Sequence, residues 1–179
     1  MIPLNGTKRV FFAVGIPSEA REKIAQEFLP GLPNGVKPVE KENLHFTLMF
    51  IGICPEKKIP GLVEAAKGVS FKPFEAEISG LGKFGSRIIW LGLSSGAEEL
   101  SEIARGIEKG IGFAEHEFSP HLTIARNRSL GATEFAELAR RLGAKKFSEK
   151  FMVNGFELME SELSASGPKY RIINSFSFA

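Results

Sequence analysis

Residues 119–126 read S-P-H-L-T-I-A-R, and residues 43–50 read N-L-H-F-T-L-M-F. Each stretch carries His, an apolar residue, Thr and a second apolar residue, which pairs His45 with Thr47 and His121 with Thr123. Successive side chains of an extended strand point to opposite faces, so His and Thr share one face and their apolar neighbours the other. Phe46, Leu48 and Phe50, or Leu122 and Ile124, are expected to pack on a core while His and Thr look into a groove. Strict alternation also puts Met49 on the groove face. The same parity turns Arg126 away with Leu122 and Ile124, so Arg126 enters the groove only if the strand bulges or ends near Ala125. The chain holds three His and four Thr, and two of the three His have Thr two positions on. Independent placement would give this in roughly one sequence in several hundred of such composition.

Outward from these motifs, residues 8–16, K-R-V-F-F-A-V-G-I, are apolar and β-branched and are closed by Pro17, which predicts a buried strand. Ser18 is a candidate N-cap for a helix over 21–29, stopped by Pro30 and Gly31. The first His strand is expected over 44–51, ended by Gly52, with a helix at 60–67 and a strand at 74–81. The order then recurs as strand 87–93, amphipathic helix 97–110, His strand 120–126, helix 133–142 and strand 151–160. Gly15 and Gly92 are 77 residues apart, His45 and His121 76, and Gly80 and Gly155 75. Equal spacing with equal element order predicts an internal duplication. The expectation is a single bilobal domain over 1–179 with repeat halves 8–82 and 86–160, paired about a pseudo-twofold axis that sets the motifs face to face. A tail strand at 170–178 would complete one sheet. The expected fold class is α+β: two lobes of antiparallel sheet, helices outside and a groove between.

A chain of 179 residues can build one sizeable core. A net charge of +2 with mixed signs argues against a surface that coats long polyanions, although a few placed residues suffice to hold a short phosphate-bearing end. One cysteine, Cys54, excludes an internal disulfide framework and is read as a small buried side chain in a reducing compartment. No apolar run reaches membrane-spanning length and residues 1–7 lack the apolar core of a signal peptide, so a cytoplasmic protein with no membrane partner is expected.

Residues 80–85, G-L-G-K-F-G, fit the dinucleotide fingerprint in letters only: that turn must open a helix, and here R-I-I-W-L-G-L follows, so a link between strands is the better reading. Two His fall short of a zinc site, which needs a third ligand. His116 stands in a charged A-E-H-E stretch read as solvated loop, so no metal and no cofactor are expected. Two imidazoles across a groove supply a general acid and a general base, because an unperturbed His titrates near neutral pH. Thr hydroxyls and a cation can hold the phosphate oxygens between them, and Arg126, five residues after His121, is the nearest cation.

At these residues the chain resembles the 2H phosphoesterase superfamily, named for paired H-x-T-x motifs, and within it the RNA 2′,3′-cyclic phosphodiesterases, also called 2′-5′ RNA ligases. The resemblance rests on R-V-F-F-A-V-G-I-P, N-L-H-F-T-L-M-F-I-G, I-I-W-L-G-L, P-H-L-T-I-A-R and S-E-L-S-A-S-G-P-K-Y, nearly the whole length. It implies a metal-independent enzyme that opens a terminal 2′,3′-cyclic phosphate to a 2′-phosphate; some members also join RNA halves in the reverse direction. It further implies His45 as proton donor, His121 as proton acceptor, and Thr47, Thr123 and Arg126 as phosphate ligands. The implied partners are RNA ends bearing 2′,3′-cyclic phosphate or cyclic nucleotides, and a monomer is expected. The competing expectation is a module of the same fold that binds a nucleotide or RNA end without turnover. Base recognition is not legible; Phe11 or Phe12 on the first strand could stack on a base, but the expected place for such strand aromatics is the core.

Overall fold

Apolar residues recur at helical spacing in the longer helices, and each buries that stripe. In the computed structural model, which describes residues 6–112, 118–164 and 167–179, α1 (Ser18–Phe28) buries Ala20, Ile24 and Phe28, and α3 (Ala97–Ile111) buries Leu100, Ile103, Ala104 and Ile107. Helix α4 (Ala132–Gly143) does the same with Phe135, Leu138, Ala139 and Leu142. The shorter α2 (Ile59–Lys67) packs against α3. Ser18 does not cap α1: Pro17 holds the cap position, and the Ser18 hydroxyl turns to the Glu19 carboxylate at 3.2 Å.

The strands are β1 (Thr7–Gly15), β2 (Val36–Pro38), β3 (His45–Pro55), β4 (Phe74–Phe84), β5 (Ile88–Ser95), β6 (Leu122–Asn127), β7 (Ser148–Val153), β8 (Gly155–Ser164) and β9 (Gly167–Ser177). They form one antiparallel sheet in the order β7-β4-β5-β6-β3-β1-β8-β9, with β2 added beside β6. The fold is α+β, a curled antiparallel sheet with four α-helices among the described residues. Each side of the β6/β3 junction presents a His strand and then the strand that opens the same half of the chain, β5 beside β6 and β1 beside β3. The next strand outward comes from across the chain: β4, which follows β3, pairs with β5, and β8, which follows β6, pairs with β1. The two lobes are therefore interleaved, and no lobe is made from one half of the sequence alone.

Two of the expected strands differ from the structure. The first His strand does not end at Gly52; that residue adopts φ 84° and the strand runs on to Pro55. The expected strand over 151–160 is two strands broken at Asn154, β7 pairing β4 on one flank and β8 pairing β1 and β9 on the other. One residue connects strands near opposite ends of the sheet order, which requires the sheet to curl until its flanks approach. Gly155 makes the crossing sterically feasible, since a Cβ there would stand 2.2 Å from the Phe176 carbonyl oxygen. The G-L-G-K-F-G stretch lies at the β4/β5 hairpin, the link between strands that its sequence context predicts.

Between the halves, β3 and β6 are paired at Phe46 and Leu122. Both side chains are fully buried, and the Phe46 ring stacks on Phe151 of β7 with centroids 6.3 Å apart. Truncating Phe46 to Ala leaves a cavity at the junction of both lobes, and such changes typically cost about 3–5 kcal/mol. Phe46→Ala is expected to lower the urea midpoint accordingly with little change in m; a loss under about 1 kcal/mol would show that the junction does not carry the core.

Candidate active site

Because Phe46 and Leu122 face the core, their neighbours His45, Thr47, His121 and Thr123 face the other way from adjacent strands. Each strand then breaks its alternation at the residue after Thr. On β3, Ala13 pairs with Thr47 and Phe12 with Met49, so Leu48 is extra. On β6, Trp90 pairs with Thr123 and Ile89 with Ala125, so Ile124 is extra. These bulges let two successive residues bury together, Leu48 with Met49 and Ile124 with Ala125. Met49 is accordingly in the core, not on the groove face. Phe50, expected in the core, is 52% exposed and lines the groove, and Arg126 is turned into the groove as well. Phe50 and Arg126 hold equivalent places, each five residues after its His.

His45, Thr47, His121, Thr123 and Arg126 line one cavity of about 320 Å³. Both imidazoles are anchored alike: Nδ1 of His45 lies 2.7 Å from the Asn43 carbonyl oxygen, and Nδ1 of His121 lies 2.8 Å from that of Ser119. A carbonyl only accepts, so Nδ1 carries the proton in each ring and Nε2 keeps the variable site. Nε2 of His45 lies 2.9 Å from Thr47 Oγ1, whose hydroxyl donates to it. Aromatic rings wall both histidines. Phe11 and Tyr170 stand 5.1 and 5.2 Å from the His45 ring, and Phe84 stands 4.8 Å edge-on to His121. Trp90 adds a second ring 6.4 Å from His121, lying so flat over Gly82 that a Cβ there would come within 2.2 Å of the indole.

Burial pushes the His45 imidazole down to about 4, helped by the positive charges of Arg21 and Arg126 and opposed by the Asn43 carbonyl. Burial raises the Tyr170 phenol as well, against the pull of Arg126 and Arg9.

Reading by alternation alone missed Arg9, Asn43, Phe50 and Tyr170 in this cavity. The Asn43 side chain donates to the Pro168 carbonyl at 2.8 Å, tying the start of β9 to the loop that orients His45. The Arg9 guanidinium lies over the Phe50 ring, 4.8 Å from its centroid. Phe12 is in the core as expected; Phe11, though only 3% exposed, reaches the cavity wall. Cys54 is buried and free, and His116 lies outside the described residues. Among the described residues, no three His, Cys, Asp or Glu side chains are grouped to hold a metal ion, and no helix is long and apolar enough to cross a membrane.

A His whose folded value is depressed stays neutral while its unfolded counterpart takes up a proton. Stability from His45 is therefore complete above about pH 6.5 and is lost progressively as pH falls toward about 4. In proton-detected titrations of the free protein the His45 ring is expected to titrate near 4, and to shift upward when inorganic phosphate binds. A midpoint near 6.5 in the free protein would show that burial does not govern this ring.

Residues 14–165 match the 2′-5′ RNA ligase superfamily. The chain is 35% identical over 178 residues to a protein of Archaeoglobus fulgidus named RNA 2′,3′-cyclic phosphodiesterase, covering 94% of this chain and 99% of that one. Its fold is that of E. coli LigT in apo form, with a TM-score of 0.81 at 23% identity over 98% of this chain and 99% of that one. E. coli LigT complexed with 3′-AMP gives 0.80 at 23% identity over 97% and 99%. With two H-x-T motifs on adjacent strands of this fold and a sequence match over most of its length, the chain belongs to the 2′-5′ RNA ligase superfamily, the 2H phosphoesterases.

Proposed function

We propose that this chain is an RNA 2′,3′-cyclic phosphodiesterase that opens the terminal cyclic phosphate of an RNA end to a 2′-phosphate, acting as a cytoplasmic monomer. The observation that carries the reading is the matched anchoring of two imidazoles, each held through Nδ1 so that Nε2 serves one cavity that also holds Arg126. The name of the Archaeoglobus fulgidus relative and the nucleotide bound by the E. coli protein support the substrate class.

In this reading His121 is the proton acceptor and His45 the proton donor. Nε2 of His121 takes a proton from water as the water oxygen bonds to phosphorus. The bond from phosphorus to O3′ breaks, and Nε2 of His45 gives its proton to O3′. Thr47, Thr123 and Arg126 hold the non-bridging oxygens, where charge builds up. A donor must first be protonated, and His45 in the free protein is not. The substrate supplies the remedy, because a bound phosphate sets a negative charge beside the ring and offsets Arg126, one of the charges that depress it. Thr47, which donates to Nε2 in the free protein, would then turn its hydroxyl to the phosphate. The Phe50 ring with Arg9 above it offers an apolar face to the base.

A nucleoside 2′,3′-cyclic phosphate incubated with the protein and a chelator is expected to yield the 2′-monophosphate only. Loss of turnover on chelation, restored by zinc, would overturn this mechanism, and binding without turnover would identify a recognition module instead. His45→Ala and His121→Ala are each expected to lower kcat by about 10²-fold or more, the usual worth of a positioned acid or base. With an activated aryl phosphodiester, whose leaving group needs no proton, His45→Ala should recover much of its rate and His121→Ala should not. Rescue of His121→Ala alone would reverse the two roles.

A further inference from the structure

Beyond the cavity, the end of β6 and the start of β5 form an open shelf lined by Arg87, Arg126 and Arg128, with Ser86, Asn127 and Ser129 between them. No acidic side chain lines it, and none of the three arginines makes an ion pair among the described residues. All three are exposed. Three arginines lining one open hollow, with no acidic side chain in its lining, concentrate positive charge on a surface that suits a polyanion.

The shelf is also built to keep its shape. The Asn127 side chain donates to the carbonyls of Ser86 at 2.8 Å and Leu130 at 3.0 Å, and accepts from the Leu130 amide at 2.8 Å. The Asn127 amide donates to the Arg87 carbonyl at 2.8 Å, and the amides of Arg128 and Ser129 both donate to the Gly35 carbonyl. The backbones that carry the arginines are thereby fastened to one another and to the turn before β2. Arg126 and Arg128 line both the shelf and the cavity, so the two are one continuous surface.

We propose that this shelf is a second anion subsite that takes the phosphodiester backbone of an RNA strand whose reacting end lies in the cavity. The proposal rests on the phosphodiesterase reading and deepens it: the substrate class becomes an oligoribonucleotide, with a free cyclic nucleotide a poorer substrate. The modest net charge of +2 is then no obstacle, because the cations that matter are gathered at one place.

Arg87 lines the shelf and not the cavity, which makes it the residue to test. Steady-state kinetics would compare a nucleoside 2′,3′-cyclic phosphate with a ten-nucleotide RNA ending in the same group, across a range of salt. Wild-type protein is expected to favour the RNA. Arg87→Ala should raise KM for the RNA about fivefold to tenfold, lower the salt slope of log kcat/KM by about 0.7, and leave the mononucleotide reaction unchanged within about twofold. Arg87→Glu should exaggerate the loss and Arg87→Lys should restore the salt slope. An unchanged KM and salt slope for the RNA would overturn the shelf, as would an equal loss on both substrates. A wild-type protein that turns over neither substrate would overturn the phosphodiesterase reading itself, whereas hydrolysis of both with no effect of Arg87 would remove the shelf alone.

Discussion

The site depends on one buried contact, the pairing of Phe46 with Leu122 where β3 meets β6. Because both side chains are fully buried on the core side, the residues before and after them have nowhere to point but outward. Four polar groups from two distant segments are thereby aimed into one cavity by two apolar residues that take no part in its chemistry. The hydrophobic effect sets this geometry, and the anchors on Nδ1 refine it: each imidazole is rotated to the carbonyl two residues upstream, where any residue type would supply the same acceptor. The anchoring is thus a property of backbone conformation before the strand, and the His needs no dedicated carboxylate to orient it.

The same alternation explains what could and could not be read in advance. The placement of His45, Thr47, His121 and Thr123 on one face follows from strand periodicity and holds up to the Thr of each motif. Past Thr, strict alternation fails for Met49, Phe50 and Arg126 for a single reason, a bulge that swallows Leu48 in one strand and Ile124 in the other. A signal was present: both motifs follow Thr with two successive apolar residues, Leu48-Met49 and Ile124-Ala125, and in a strand with one face on an open groove strict alternation would leave one of each pair on the groove face unless the strand bulges. The helices were legible because their apolar stripes are separated by charged residues. The break at Asn154 was not, because V-N-G continues a plausible strand and only the curl of the whole sheet makes the chain cross there. Strand β2 was missed because three residues, one of them Pro38, leave no periodicity to detect.

The parallel between the halves extends below the level of elements. Leu48 and Ile124, Met49 and Ala125, and Phe50 and Arg126 each stand 76 residues apart, the interval between the two histidines. We read residues 8–82 and 86–160 as two copies of one unit on this ground, with their third strands exchanged between lobes. Exchange of that kind couples the copies: β4 is held by β5 and β7, and β8 by β1 and β9, so neither copy has its complete sheet without the other.

Two copies of a unit would, if kept alike, build a cavity with no preferred direction, and a reaction that needs a donor on one side and an acceptor on the other requires a difference. The bulges create equivalent positions, and the sequence fills them differently: a cation, Arg126, in one and an aromatic ring, Phe50, in the other. Burial adds a second difference, since His45 lies behind Phe11 and Tyr170 and is depressed to about 4. Charge accumulates where Arg126 runs on to Arg128, and aromatic surface where Arg9 covers Phe50. A nucleotide is itself polar in this sense, with an anionic end and a flat apolar one. In the proposed function, its orientation is therefore selected before any contact specific to a base is made, and selecting the orientation also decides which imidazole meets the leaving oxygen.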